Sequence, residues 1–123
     1  MSSRDGLLTY LATVIAETPE LSKIKLIKSV RATDQLDARS PILIVKTDRF
    51  EHVGAAAHWV QGFFTLGLVS NHVNPDKAEA QLDDLLEFLL PKLMGSKVMW
   101  ETATQTAYDE QHTSYDIAVR AIP

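Results

Sequence analysis

The chain contains no cysteine, which excludes disulfides, thiolate nucleophiles and cysteine-based zinc sites. It is also short of positive charge: 12 Lys and Arg residues stand against 16 Asp and Glu, for a formal net charge of −4. That balance argues against a protein that coats nucleic acid with a uniformly basic surface. The charge balance does not exclude a basic segment confined to one part of the chain.

Long hydrophobic runs are absent as well. The longest apolar stretch, 60–69, is interrupted by Gln61, Gly62, Thr65 and Gly67, and it falls short of the ~20 apolar residues of a membrane span. The N-terminal residues lack the cleavage site of a signal peptide. The chain has 123 residues, 46% of them hydrophobic, so we expect one soluble domain over 1–123, made in the cytoplasm.

The first part of the chain predicts one helix and then a strand. Apolar residues recur at helical spacing near the N-terminus, at Leu7, Leu8, Leu11, Val14 and Ile15. Pro19 should end this helix near Glu17. The segment Lys23–Ala32 predicts a strand, with Ile24, Leu26 and Val30 on one face.

Two further strands are expected before the second helix. The aliphatic run Pro41–Val45 is typical of a strand buried on both faces. The charged segment Thr47–Ala57 predicts a long connection. His58–Ser70 predicts the longest strand, and one of its faces carries Val60, Gly62, Phe64, Leu66 and Leu68.

A second helix starts with a strong signal, because Asn74 can cap it and Pro75 suits its first position. Its apolar stripe consists of Ala78, Leu82, Leu85, Leu86, Leu89 and Leu93. Pro91 should end or kink this helix. Strands are expected at Lys97–Thr106 and Ser114–Ile122, around a polar loop at Ala107–Thr113. The elements predict an α+β fold: a single sheet of four to five strands with two helices packed on one face.

No motif for catalysis or cofactor binding occurs. The histidines His52, His58, His72 and His112 lack the spacing of a paired metal site. The five glycines form neither a phosphate loop nor a dinucleotide fingerprint, and no nucleophile elbow is present. We therefore expect no enzyme activity, no catalytic or metal-binding residues and no cofactor.

Two charged segments are candidates for a subunit interface. The basic one comprises Lys23, Lys25, Lys28 and Arg31. It could contact phosphate or an acidic protein surface, or simply protect an edge strand from unwanted pairing. The acidic one lies on the second helix and comprises Glu79, Asp83, Asp84 and Glu87. A solvated helix face or a carboxylate pair at Asp83 and Glu87 are its other interpretations.

The order of elements resembles that of the tail terminator (tail completion) proteins of long-tailed bacteriophages, the family typified by the lambda tail terminator. The resemblance covers nearly the whole chain. It consists of an amphipathic first helix, Leu7–Ile15, and the proline-led strand Ser40–Val45. These are followed by a strand with an aromatic residue near its start, His58–Phe63, then by a leucine-rich second helix and the last strand, Tyr115–Val119.

The resemblance implies a structural virion protein of the tail–neck region, assembled in the host cytoplasm. Proteins of this family form rings, commonly hexameric, that cap the tail tube and join tail to head. The implied partners are further copies of the chain, the tail tube protein and a head-completion or connector protein. DNA would pass through the ring without sequence-specific binding, and no membrane is involved. The family has no active-site motif, so the resemblance assigns no functional residue.

A different class of function is compatible with the same features. A small cytoplasmic protein-binding module, such as an immunity or regulatory factor, shares the size, the acidity and the lack of motifs. The genes flanking this one would separate the two hypotheses, because a tail terminator gene is expected among capsid and tail genes.

Overall fold

The computed structural model describes residues 3–27, 39–52, 60–95 and 97–121. Within them the chain forms two α-helices and five β-strands. Their bounds are α1 Ser3–Glu17, β1 Lys25–Ile27, β2 Ile42–His52, β3 Val60–Val69, α2 Pro75–Leu89, β4 Val98–Ala107 and β5 Thr113–Ala121. Short 3₁₀ turns follow the two helices at Pro19–Leu21 and Leu90–Leu93. The predicted α+β class is confirmed.

All five strands belong to one sheet, in the order β1-β2-β3-β5-β4. Strand β1 runs parallel to β2, and every other neighbouring pair is antiparallel. Among the described strands, the terminal ones of the sheet are therefore β1 at one end and β4 at the other.

Both helices pack on the same face of the sheet. The main core joins helix residues to alternate residues of the strands, including Leu7, Leu11, Leu82, Leu89, Leu43, Phe64, Leu66, Ile117 and Val119. The opposite face carries a smaller cluster of Ile27, Ile42 and Val69, packed against Ile44 and Tyr108. The start of β2 is thus covered on both faces, as its continuous aliphatic sequence predicts.

The helix boundaries follow the sequence signals. The side chain of Asn74 accepts hydrogen bonds from the backbone N–H groups of Asp76 and Lys77, at 2.9 and 3.1 Å. Helix α1 ends at Glu17, just before Pro19. The predicted cap and the predicted stop are both confirmed.

Strand β2 is longer than predicted. The connection expected at Thr47–Ala57 is wrong for its first residues, because β2 continues to His52 and pairs there with β3; residues 53–57 lie outside the described part. An irregularity of register between Thr47 and Arg49 interrupts the alternation of the sequence. Since a β-bulge shifts the side-chain pattern by one residue, periodicity alone did not reveal this strand.

Strand β1 is shorter than predicted, with Lys25–Ile27 paired to β2. Ile24 and Leu26 contact the core on the helix side, as expected, whereas Ile27 packs on the opposite face. The remaining residues predicted for this strand, 28–32, lie outside the described part. The same applies to His58 and Trp59, which were predicted to open β3.

The faces of β3 are confirmed except at one position. Gly62, Phe64, Leu66 and Leu68 are buried, but Val60 is 41% exposed. Val60 pairs with His52, and it lies beyond Gly62, the last residue of β3 that has a described partner in β5. The polar loop between β4 and β5 is also shorter than expected, because Ala107 and Thr113 pair with each other.

Candidate subunit interface

The basic candidates lie at the β1 end of the sheet. Lys25 is an exposed residue of β1, and Lys23 is exposed two residues before it. The other two predicted members, Lys28 and Arg31, lie outside the described residues. The structure therefore places two of the four cations, both on the surface.

The acidic candidates form one exposed surface on α2. Glu79, Asp83, Asp84 and Glu87 are all exposed, and the buried side of the same helix carries Ala78, Leu82, Leu85, Leu86 and Leu89. The 3.6-residue period of the helix separates the two sets of residues. We call this set of four the acidic surface of α2.

Helix α2 packs against β5, which neighbours the terminal strand β4. Burial, and then the negative charges of Asp83 and Glu79, raise the pKa of Tyr115 in β5. The contact of α2 with β5 places part of the acidic surface close to the β4 end of the sheet. Helix α2 also contacts the turn Pro19–Leu21, which ends two residues before Lys23.

Neither charged group is neutralised within the described part of the chain. The two ion pairs found there join Arg49 to Glu51 and His112 to Asp109. The exposed lysines and the acidic surface of α2 take part in neither. Charges that have no partner in one copy are available to a partner of opposite charge in another.

An apolar residue that sequence analysis missed accompanies the acidic surface. Phe88 is 43% exposed and follows Glu87 directly. Leu86, Leu90 and Pro91 line a shallow depression together with Asp83 and Glu87. Phe88 falls outside the predicted apolar stripe, and that position is the signal that could have identified it as a surface residue.

The histidines are dispersed over the described residues. His52 is exposed at the end of β2, His72 is half-buried after β3, and His58 lies outside the described part. No group of three or more His, Asp or Glu residues that could hold a metal ion occurs in the described segments.

His112 has a local partner in the turn between β4 and β5. Its Nδ1 lies 2.8 and 3.0 Å from the two carboxylate oxygens of Asp109. Asp109 Oδ1 also accepts the backbone N–H groups of Gln111 and His112, each at 2.8 Å. These contacts stabilise the turn without any contribution from a ligand.

Within the described residues, neither helix is long and apolar enough to cross a bilayer. No protein-family model matches the chain, and no curated protein matches it either.

Proposed function

We propose that this chain is a structural subunit of a long-tailed bacteriophage virion. Copies of it assemble head to tail into a ring, hexameric by resemblance to the tail terminator family, that caps the tail tube and joins the tail to the head. The partners are further copies, the tail tube protein and a head-completion or connector protein. DNA passes through the ring without sequence-specific binding.

The observation that carries the proposal is the separation of unpaired charge on one molecule. Lys25 lies at the β1 end of the sheet, and the helix that carries the acidic surface, α2, packs against β5 next to β4 and against the turn Pro19–Leu21. Unlike patches at different places on one subunit favour a heterologous contact, and a heterologous contact that closes produces a ring. The order of elements and the proline-led strand β2 support the family assignment of that ring.

The contact is expected to be weak in solution. Exposed ion pairs contribute roughly 0–1 kcal/mol each, because water screens them and both side chains lose freedom. Phe88 adds some apolar area at the acidic side. Stable closure would then depend on many identical contacts around the ring, or on docking to the tube.

Charge reversal tests this function. We expect Asp83→Lys together with Asp84→Lys to reduce the multimer measured by light scattering, because the introduced lysines would repel the basic residues of the next copy. Glu17→Lys is a control for one of the two reversals, since it inverts an exposed acid outside the acidic surface of α2. Adding Lys23→Glu to the α2 variant should restore part of the multimer.

Electron microscopy of the multimer supplies the shape. Rings with an open centre would support the proposal. A protein that stays monomeric at high concentration and low salt would contradict it, and a compact dimer would favour a different kind of protein-binding module.

A further inference from the structure

The second half of strand β4 presents an edge that lacks the usual protection. Within the described part of the chain, β4 pairs with β5 on one side, and on its other side only Met94 forms a bridge, to Met99 near the start of the strand. Its second half, Thr102–Ala107, contains only Thr, Ala and Gln, and all but Ala103 are exposed. Natural sheets normally protect such an edge with charge, proline or a very short strand. Here the uncharged part of the edge begins after Glu101 and the register irregularity between Trp100 and Thr102, and it continues to the end of the strand at Ala107.

The other end of the sheet has a different edge. Strand β1 pairs with β2 alone among the described strands and spans only Lys25–Ile27. It carries Lys25, with Lys23 close by. A lysine on an edge strand opposes pairing with most other edges, but it favours an edge that has acids beside it.

Acidic groups lie beside the second half of β4 on both faces of the sheet. On the face away from the helices, Thr104 pairs with Asp116 of β5, which is exposed. On the helix face, Gln105 pairs with Tyr115 of β5, the strand against which the acidic helix α2 packs, and the charges of Asp83 and Glu79 contribute to the raised pKa of Tyr115. The cations near β4, Lys97 and Arg120, lie at its opposite end, where Met99 pairs with Arg120.

Strand direction also fits a contact between these two edges. Strands β1 and β2 share one direction, β3 is reversed, β5 matches β1 and β4 is reversed again. When two copies are placed side by side in the same orientation, β4 of one meets β1 of the next antiparallel. Such an arrangement repeats from copy to copy without a two-fold axis.

We propose that β4 of one copy adds to the β1 edge of the next copy as an antiparallel strand, which makes the sheets of neighbouring copies continuous. This inference rests on the proposed function, because it specifies the contact that closes the ring. Lys25 pairs with Ile42, and Thr104 pairs with Asp116. Ile42 and Asp116 both lie on the face away from the helices, so Lys25 and Thr104 share that face. With strands spaced about 5 Å apart, a lysine beside Thr104 can extend across it towards Asp116.

Pairing of β4 with β4 of a second copy is the main alternative for this edge. The uncharged sequence would tolerate it, but it would leave the acids beside β4 without cations. It would also give a two-fold dimer that does not extend to a ring. The two arrangements therefore predict different covalent products.

The absence of native cysteine allows a clean cross-linking test on the full chain. We expect the double variant Lys25→Cys, Thr104→Cys to form a series of disulfide-linked multimers on mild oxidation. Neither single variant should exceed a dimer. Efficient dimer formation by Thr104→Cys alone, with no larger products from the double variant, would overturn the inference in favour of β4–β4 pairing.

Introducing a positive charge into the β4 edge provides a second test of the contact. Thr104→Lys should remove the multimer seen by light scattering, whereas Thr13→Lys, on the exposed side of α1, adds the same charge and should leave it intact. A multimer that survives Thr104→Lys and gives no cross-links would overturn the inference but leave the ring. A monomer under all conditions would overturn the ring and this contact together.

Discussion

Neighbouring aromatic residues of β3 occupy opposite faces of the sheet. Phe64 is fully buried on the helix side and meets Phe50 edge to face, with ring centroids 6.4 Å apart. Phe63 is half-buried on the other side, and the Arg49 guanidinium lies 3.9 Å from its ring centroid. Gly62 lies beside the Phe64 ring, where a side chain has no room.

We predict that Gly62→Ala destabilises the fold. The added methyl carbon would lie 2.6 Å from Phe64 Cε2 and 3.3 Å from Phe50 Cε1. Because the Phe64 ring is fully buried, it can move only at the cost of core packing, and overpacking typically costs about 1–3 kcal/mol. Denaturant unfolding measures the change in free energy.

Gly67→Ala is the matched control in the same strand. Its new carbon would have no neighbour closer than 4.0 Å. Replacing a strand glycine also lowers the entropy of the unfolded chain, so stability should be unchanged or slightly higher. Equal stability of the two variants would contradict the packing described for Gly62.

A second residue-scale prediction concerns acid pH. The backbone N–H of Gln111, followed by the side chain of His112, holds the pKa of Asp109 below its ordinary value. Since the folded pKa is lower than the unfolded one, the stabilisation is complete above the unfolded pKa. It is lost as pH falls through the folded pKa.

An NMR titration of the Asp109 carboxyl group measures this pKa directly. In His112→Ala we expect the pKa to rise but to stay below its ordinary value, because the backbone N–H of Gln111 still binds the carboxylate. An unshifted pKa in the wild-type protein would show that the turn does not hold Asp109 in this position.

At the scale of elements, α2 depends on its N-terminus as well as on its apolar stripe. The helix begins after Asn74, whose side chain accepts two backbone N–H groups that would otherwise lack partners. The helix also presents the acidic surface that the proposed ring requires. Loss of the cap should therefore weaken the element that carries the candidate interface.

We predict that Asn74→Ala destabilises the protein by about 1 kcal/mol, the typical value for loss of an N-cap side chain. Asn74→Asp is the control, because aspartate also accepts these hydrogen bonds and suits the positive end of the helix. Thermal unfolding of the three proteins provides the comparison. Equal melting temperatures for Asn74→Ala and the wild-type protein would mean that the cap contributes nothing to the fold.

At the scale of the whole molecule, assembly should depend on salt and concentration. The proposed contact joins Lys23 and Lys25 of one copy to acids of the next, and charges of this kind are screened over about 8–10 Å at ordinary ionic strength. We predict that the mean mass from light scattering falls as salt rises and as the protein is diluted. A mass that does not respond to salt would indicate an apolar contact instead, with Phe88 the first residue to test.

The sequence alone determined the parts that depend on local physics. Helical periodicity located both helices, Pro19 and Asn74 marked their boundaries, and the aliphatic run after Pro41 predicted a strand covered on both faces. Charge patterning also predicted the exposed acids of α2, because a helix period separates its polar and apolar sides without reference to the rest of the chain.

Only the tertiary structure decided the features that depend on pairing between distant segments. The extension of β2 through Thr47–His52 depends on β3, since a charged segment forms a strand when a neighbouring strand satisfies its backbone. The order of strands put β1 and β4 at opposite ends of the sheet, and no local pattern specifies that order. The candidate site depends on this order, because residues far apart in sequence become the two edges of one sheet.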